Sequence, residues 1–360
     1  MEKVRIGIIG CGGIANGKHL PALKRNPNVE LVAFCDIVVE RAEKAAKEYG
    51  VEGAKVYKDY KELLADKTIE AVHVLTPNRE HSFITVDALH AGKHVMCEKP
   101  MAINSEEAKK MVAAAKETGK ILTIGYQNRC RPDSLYLKRA CENGELGEIY
   151  YARAHAVRRR AVPTWGVFLN EYEQGGGPLI DIGTHALDLT LWEMNNYKPK
   201  MVVGTVYKKL GQQTESANAW GDWDPKDFTV EDSAFGFITM ENGATIHLEA
   251  SWALNTLDVE EASTSLCGTI AGADMHDGLR INGVKYNKQY TEKPDLSSGG
   301  VAFFDGETGS NPEDIECATW ISAIQNGTPL RVLPEQALVV TQILEAIYES
   351  AKTGKPVYFD

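Results

Sequence analysis

The amino-acid sequence predicts an α/β protein in two parts: a doubly wound parallel sheet, then an α/β part with a large, open, mainly antiparallel sheet. An apolar, β-branched run over Val4–Ile9 leads straight into a glycine-rich turn. Strand-like and helix-like segments then alternate to about residue 125, as parallel strands joined by crossover helices require. After Gly125 the strand-like segments follow one another with few helices between them. We therefore expect two domains, at residues 1–125 and 126–360.

The turn after the first strand reads G-C-G-G-I-A, which fits G-x-G-x-x-A, and a second strand-like run ends at Asp36. In such a turn Gly10 permits the tight bend, Gly12 lets the backbone approach a pyrophosphate, and Ala15 lets the helix pack on the strand. The helix N-terminus offers N–H groups to phosphate, and Asp36 accepts hydrogen bonds from a ribose hydroxyl. The order and spacing predict a Rossmann dinucleotide site that includes Gly13 and Ile14.

The residues after Asp36 indicate which dinucleotide is bound. A 2′-phosphate usually needs a nearby Arg, and a carboxylate at this position repels it. The residues that follow are apolar, and the first cation is Arg41. NAD is therefore favoured over NADP.

Composition excludes several classes of function. A net charge of −11 argues against nucleic acid, because its phosphates favour a basic surface. The apolar stretches are too short to span a bilayer, and we see no signal peptide ahead of the first strand. Seven cysteines without a C-x-x-C pair are typical of reduced thiols in a cytoplasmic protein. We expect neither a membrane nor a nucleic-acid partner.

Three long segments outside the first domain are also predicted. Residues 211–232 and 291–314 have the composition of long loops, and loops of this length in a compact domain are usually functional or involved in assembly. The first of them carries two tryptophans. Residues 334–353 are predicted to form a C-terminal helix, because Pro334 and Gly354 bound them.

A Glu-Lys-Pro segment follows the strand-like run that ends at Cys97. Ligands of open α/β sheets bind beyond the carboxyl ends of the strands, so Glu98 and Lys99 are expected at the nicotinamide end of the site. A surface Glu–Lys pair is the plainer alternative. The other residues expected to bind the cofactor are Thr76, Pro77, Asn78, His81 and Asn128.

A glycine triplet leads into a second segment with polar residues at helical spacing. Pro178 suits the first turn of a helix, and Asp181, His185 and Asp188 then fall on one face. Such a face could hold a metal, but a metal needs a further ligand that is not evident. It could also be a buried structural network. We favour the interpretation that this face carries out acid–base catalysis, and we expect no metal.

These motifs, G-C-G-G-I-A, C-E-K-P-M and G-G-G-x-L-x-D-I-G-x-H-x-x-D, resemble in order and spacing the glucose–fructose oxidoreductase/inositol dehydrogenase/MocA (Gfo/Idh/MocA) family. The C-terminal helix is similar to that family's final helix. The resemblance implies a Rossmann domain, a C-terminal α/β domain with a large open sheet, and a homo-oligomer, a dimer or higher, built through that sheet. It also implies that Lys99, Asp181 and His185 are the catalytic trio and that Glu98 is the nicotinamide-side acid.

Two further stretches, R-R-R-A-V-P-T-W-G-V-F and G-Y-Q-N-R, look like those of bacterial glycoside 3-dehydrogenases that begin C-glycoside deglycosylation. This narrower resemblance implies oxidation of the C3 hydroxyl of a glucosyl group to a ketone, on a C- or O-glycoside. A separate downstream enzyme would then cleave the activated glycoside.

The sequence also offers candidate sugar contacts. Trp165, Trp220 and Trp223 lie in loop-like segments, and an indole suits the apolar face of a pyranose. Core packing is the alternative, and for any single tryptophan it is the favoured one. Strand alternation lets only part of the run of arginines at 158–160 face a site, and Arg159 is the expected contact. Tyr126 is the remaining expected substrate contact.

The predicted reaction transfers a hydride from a carbinol carbon to NAD⁺. His185 suits the base, since the ordinary pKa of imidazole is about 6.5. Lys99 stabilises the developing alkoxide or is itself the base, and Asp181 orients the sugar or His185. An inositol or free-sugar dehydrogenase and a nucleotide-sugar dehydrogenase are alternatives. A non-catalytic NAD-binding sensor is a third, but the presence of all three catalytic residues speaks against it.

Overall fold

The computed structural model describes residues 2–296 and 311–359. The chain divides into two compact units, Met1–Cys130 with Gly309–Leu338 and Arg131–Thr308 with Val339–Asp360. We expected two consecutive domains, and the first unit differs because it also takes in a later segment. That segment belongs there because Trp320 and Ile321 are buried in its core, in the same cluster as strand residues near the N-terminus.

The first unit contains a parallel sheet. Six strands of its described residues pair in the order β3-β2-β1-β4-β5-β6, all parallel. Their bounds are β1 Val4–Ile9, β2 Val29–Cys35, β3 Lys55–Tyr57, β4 Ala71–Val74, β5 His94–Cys97 and β6 Leu122–Ile124. This order is the one that doubly wound dinucleotide-binding sheets adopt, so the predicted class of the N-terminal domain is confirmed.

Helices connect these strands as crossovers and complete the unit. They are α1 Leu20–Arg25, α2 Val39–Tyr49, α3 Tyr60–Ala65, α4 His81–His90 and α5 Ser105–Thr118, and α9 Pro312–Asn326 joins them from the later segment. Asn104 caps α5 by accepting a hydrogen bond from the backbone N–H of Glu107, and Gly119 ends it in the left-handed conformation.

The second unit is built on a larger sheet. Its described strands pair in the order β14-β13-β12-β11-β7-β10-β9-β8-β15. Neighbours are antiparallel except β7 and β10, which run parallel. Their bounds are β7 Ile149–Val157, β8 Pro199–Tyr207, β9 Ser233–Met240, β10 Thr245–Ser251, β11 Glu260–Gly268, β12 Ala271–Asp274, β13 Arg280–Lys285, β14 Lys288–Glu292 and β15 Val357–Tyr358. The predicted open, mainly antiparallel sheet is confirmed.

Helices complete this unit, and the last of them begins in the first unit. They are α6 Pro132–Glu142, α7 Glu171–Gln174, α8 Thr184–Met194 and α10 Pro334–Thr353. The predicted bounds of α10 are confirmed. It packs closely on β8 and β9, because a Cβ on Gly204 or Gly236 would lie 2.6 or 2.5 Å from side-chain carbons of Ile347.

The two predicted loops have different outcomes. Residues 211–232 contain neither helix nor strand, as expected. In the other segment, β14 ends at Glu292 and α9 begins at Pro312, while residues 297–310 lie outside the described part. We find no candidate membrane-spanning helix in the part of the chain that the structure describes.

Candidate active site

The glycine turn after β1 has the geometry that phosphate binding requires. Gly10 has φ of +94°, and a Cβ there would lie 2.6 Å from the carbonyl oxygen of Leu75. A Cβ on Gly12 or Gly13 would meet no atom within 4 Å, so the backbone borders open space. Ala15 is fully buried where the helix meets the sheet. The turn fits a dinucleotide pyrophosphate.

Asp36 is fixed in place at the end of β2. Its Oδ2 accepts a hydrogen bond from the backbone N–H of Cys11 at 2.8 Å, and its Oδ1 accepts one from Val38 at 2.8 Å. Each carboxylate oxygen keeps a second lone pair for a ribose hydroxyl. Burial raises the pKa of the neighbouring Cys11 thiol to about 12, so this thiol remains neutral.

The residues expected to bind the cofactor collect at one edge of the parallel sheet. Each follows the carboxyl end of a strand, where open α/β sheets bind their ligands. They are Gly10, Gly12, Gly13 and Ile14 after β1, Asp36 after β2, Thr76, Pro77, Asn78 and His81 after β4, Glu98 and Lys99 after β5, and Asn128 after β6.

Glu98 has partners that sequence reasoning missed. Its Oε1 lies 2.7 Å from both Lys18 Nζ and His19 Nε2, and its Oε2 accepts a hydrogen bond from the backbone N–H of Lys99. A Cβ on Gly125 would lie 2.9 Å from Oε1, so glycine leaves room for the carboxylate. The carboxylate of Glu98 therefore links the glycine-turn helix to the loop that carries Lys99.

The hydrogen-bond network around Glu98 includes further buried residues of the first unit. Lys18 Nζ also pairs with Glu316 at 2.9 Å, and His19 Nδ1 lies 3.1 Å from His73 Nδ1. Burial alone would lower the pKa of Lys18, but Glu316 and Glu98 raise it above its ordinary value. Burial lowers the pKa of His73, which is therefore neutral. Lys18 and His19 lie in a π-helical turn, Ala15–His19, and no sequence motif marks them.

Two residues that we expected to contact the cofactor or the substrate are buried. His81 is 1% exposed, and its ring nitrogens lie 2.8 Å from Pro100 O and 2.9 Å from Thr76 O. It thus holds the loops after β4 and β5 together, a positioning role that sequence reasoning did not foresee. Tyr126 is 1% exposed, and this burial argues against a direct substrate contact.

In the second unit, the glycine triplet is needed for close packing. A Cβ on Gly176 would overlap the hydroxyl of Tyr348, and one on Gly177 would overlap the carbonyl oxygen of Glu231. The Glu231 carboxylate accepts hydrogen bonds from the backbone N–H of Gly177 and of Leu179, at 2.9 and 3.1 Å. Tyr348 also donates to it, at 2.8 Å. This buried acid caps the helical segment that carries Asp181 and His185.

That segment is not a uniform α-helix as we expected. Leu179–Gly183 forms a π-helical turn, and α8 follows from Thr184. Single π turns often occur at functional sites. Asp181 is half-buried, His185 is 7% exposed and Asp188 is 1% exposed. The indole Nε1 of Trp252 donates to Asp181 Oδ2 at 3.0 Å, a contact that no motif indicated.

The aromatic residues separate into two groups. Trp165 and Trp220 are 52% and 43% exposed and contact each other edge to face, with centroids 5.0 Å apart. Trp223 is 9% exposed and donates its indole N–H to Gly211 O, so it packs in the core of its own loop. Its expected substrate contact does not fit this burial.

The arginine run is mostly engaged, as the strand alternation indicated. Arg158 pairs with Glu261 at 2.6 Å, and Arg160 donates to Asn255 at 2.6 Å. The Arg159 side chain is exposed. Among the described residues, no group of three or more His, Cys, Asp and Glu side chains is arranged to hold a metal ion.

The sheet order, the open glycine turn and the acid after β2 together define a dinucleotide-binding oxidoreductase fold. One family model, described as the oxidoreductase family's NAD-binding Rossmann fold, matches residues 4–126. A second, described as the same family's C-terminal alpha/beta domain, matches residues 138–359. The chain belongs to this Gfo/Idh/MocA family of NAD-binding oxidoreductases.

Individual relatives are similar over different lengths. The D-glucoside 3-dehydrogenase of Escherichia coli K12 is 37% identical over 358 residues, which cover 98% of this chain and 97% of that protein. The inositol 2-dehydrogenase of Salmonella typhimurium LT2 is 34% identical over 54% of this chain and 56% of its own. A levoglucosan dehydrogenase solved with NADH and L-sorbose covers the whole of both chains, with a TM-score of 0.83 and 22% identity, and it shows the shared fold.

Proposed function

We propose that this chain is an NAD-dependent dehydrogenase that oxidises the C3 hydroxyl of a glucosyl group, on a C- or O-glycoside, to a 3-oxo-glycoside. The observation that carries the proposal is the Asp181 carboxylate held by the Trp252 indole beside an aromatic cluster. A carboxylate accepts hydrogen bonds from sugar hydroxyls, and the half-buried ring of Phe168 beside Trp252 suits the apolar face of a pyranose. The 37% identity to a D-glucoside 3-dehydrogenase over nearly all of both chains supports glucosides and the C3 position.

The reaction requires a hydride acceptor and a base. The glycine turn and Asp36 would hold NAD⁺, which would supply the hydride acceptor for the carbinol carbon. We assign the base to His185, whose imidazole takes the hydroxyl proton on a ring nitrogen. Asp181 orients the sugar by accepting hydrogen bonds from its hydroxyls, and the indole N–H of Trp252 fixes the carboxylate for that task.

Lys99 supplies the positive charge in this assignment. Its ammonium stabilises the negative charge that develops on the substrate oxygen as the proton leaves. Its backbone N–H donates to Glu98, which is tied to Lys18 and His19, so the loop that carries Lys99 is held firmly. Lys99 as the base, with His185 as its partner, is the alternative.

The product identifies the reaction. We expect NMR of the products from NAD⁺ with methyl glucoside and with a C-glucoside to show a ketone at C3 and an intact bond at C1.

His185→Ala should lower kcat by about 10²–10⁴-fold, which general acid–base groups typically contribute, and leave NAD affinity unchanged. A ketone at another carbon, or release of the aglycone, would contradict the proposal. Turnover of inositol in preference to every glucoside would instead support the inositol 2-dehydrogenase alternative.

We also propose that a separate enzyme acts on the 3-oxo product. A 3-oxo group acidifies the hydrogen at C2, so a separate enzyme in the same cytoplasm can eliminate the aglycone.

Assembly into a homo-oligomer is supported by the large sheet, which exposes Val203, Tyr207 and Phe237 on the face away from α10. Such a contiguous apolar surface is typical of an interface.

A further inference from the structure

Aromatic rings lead away from Asp181 in the second unit. Trp252, whose indole donates to Asp181, is fully buried, and its ring lies 6.4 Å from that of Phe168. Phe168 lies 5.8 Å from Trp165, and Trp165 lies 5.0 Å from Trp220. Exposure rises along this path, since Phe168 is half-buried and the last two rings are about half exposed.

The two exposed indoles, which we call the tryptophan platform, are held by two loops that bind each other. Asn218 exchanges hydrogen bonds with the backbone of Val162, at 2.8 and 3.0 Å. Thr164 Oγ1 donates to the carbonyl oxygen of Trp220 at 2.6 Å. These contacts fix the platform before any ligand binds, which lowers the entropic cost of binding.

A cation also supports the platform. The guanidinium of Arg158 lies 5.1 Å from the ring centroid of Trp220 and is itself fixed by two hydrogen bonds to Glu261. Cation–π contact favours one orientation of the indole. Two large apolar side chains held this firmly while half exposed are typical of a binding surface.

We propose that the tryptophan platform, Trp165 with Trp220, binds the group attached at C1 of the glucosyl unit. This group is a ring with an apolar face, either aryl or a second pyranose. The inference rests on the proposed function, which places the glucosyl ring at Asp181. Two ring contacts, with centroids 6.4 and 5.8 Å apart, separate Trp252 from the platform, so we expect a ligand held at Asp181 to need a second ring to reach it. The platform thus favours glycosides over free glucose.

The test compares ligands that differ only at C1. We expect Trp165→Ala and Trp220→Ala each to lower kcat/KM for phenyl glucoside, for cellobiose or for both by about 3- to 10-fold, the range that one aromatic contact supplies. KM should change rather than kcat, and methyl glucoside and glucose should react as in wild type. Loss with phenyl glucoside alone would identify an aryl occupant, and loss with cellobiose alone a sugar.

Controls separate the platform from general damage. Tyr286→Ala removes a fully exposed aromatic of the same unit that lies off the path, and it should leave all four substrates unaffected. Trp165→Phe keeps an aromatic ring and should retain most of the wild-type kcat/KM for phenyl glucoside and cellobiose. An equal loss on all four substrates, or no loss on any, would overturn the inference while leaving glucoside oxidation intact.

A binding measurement tests the tryptophan platform even if the proposed glucoside oxidation is wrong. If the wild-type enzyme oxidises no glucoside, tryptophan fluorescence with NAD⁺ present still reports binding. Tighter binding of phenyl glucoside or cellobiose than of methyl glucoside, abolished in Trp220→Ala, would support the platform. Equal binding of all three ligands in wild type would overturn it.

Discussion

Glu98 shows how one residue can serve the fold and the site together. Burial alone would raise the pKa of its carboxyl, but the charges and hydrogen bonds of Lys18 and His19 hold this pKa well below its ordinary value. A carboxyl with a lowered folded-state pKa stabilises the protein fully above its ordinary pKa of about 4.3. That contribution is lost as the pH falls from there towards the folded-state pKa.

We expect Glu98→Gln to destabilise the protein by about 3–5 kcal/mol at pH 7, because it leaves the buried Lys18 ammonium short of a partner. Denaturant unfolding measures this loss, and the difference from wild type should narrow below about pH 4. Asp314→Asn breaks the exposed pair with Arg25 and should cost less than about 1 kcal/mol. Equal effects of both substitutions would show that the network contributes no more than a surface pair.

At the scale of elements, both motif-bearing helices begin with a π-helical turn next to glycines. The glycines do different work in the two places. Gly12 and Gly13 keep space open, whereas Gly176 and Gly177 bring the backbone against Tyr348 and Glu231. The first pair therefore serves binding and the second pair serves the fold.

Alanine substitutions should separate these two kinds of glycine. Gly177→Ala places a methyl group against the Glu231 backbone, so we expect a clear fall in thermal stability. Gly12→Ala meets no atom within 4 Å and should leave the melting temperature unchanged while weakening NAD binding at least several-fold. Calorimetry and NAD titration measure both effects. Unchanged NAD affinity in Gly12→Ala would contradict the placement of the phosphates at this turn.

For the whole molecule, the proposed assembly through the large sheet has a direct test. We expect the wild-type protein to sediment as a multiple of the 39.6 kDa chain. Phe237→Glu puts a charge among the exposed apolar residues of β8 and β9 and should shift the protein towards monomer. Val51→Glu alters a similarly exposed residue of the first unit and is the matched control. A monomeric wild-type protein at micromolar concentration would refute the assembly.

Much of the fold could be predicted from the sequence, because it depends on local patterns. Alternating strands and helices predicted the parallel sheet, and Pro334 with Gly354 predicted the bounds of α10, since each of these signals lies within one element. The short strands β3, β12–β14 and β15 and the helices α6, α7 and α9 were not predicted. The place of α9 in the first unit was also missed, because Trp320 finds its neighbours far along the chain.

Spacing along one or two elements defines the glycine turn, the acid after β2 and the polar face after the glycine triplet, so these residues could be identified from the sequence. The partners that hold these residues in place became visible only in the folded chain. Lys18 and Glu98 are 80 positions apart, Trp252 and Asp181 are 71 apart, and Glu231 and Gly177 are 54 apart. Contacts over such separations leave no periodic trace in a single sequence, since they arise only when the elements that carry them pack together.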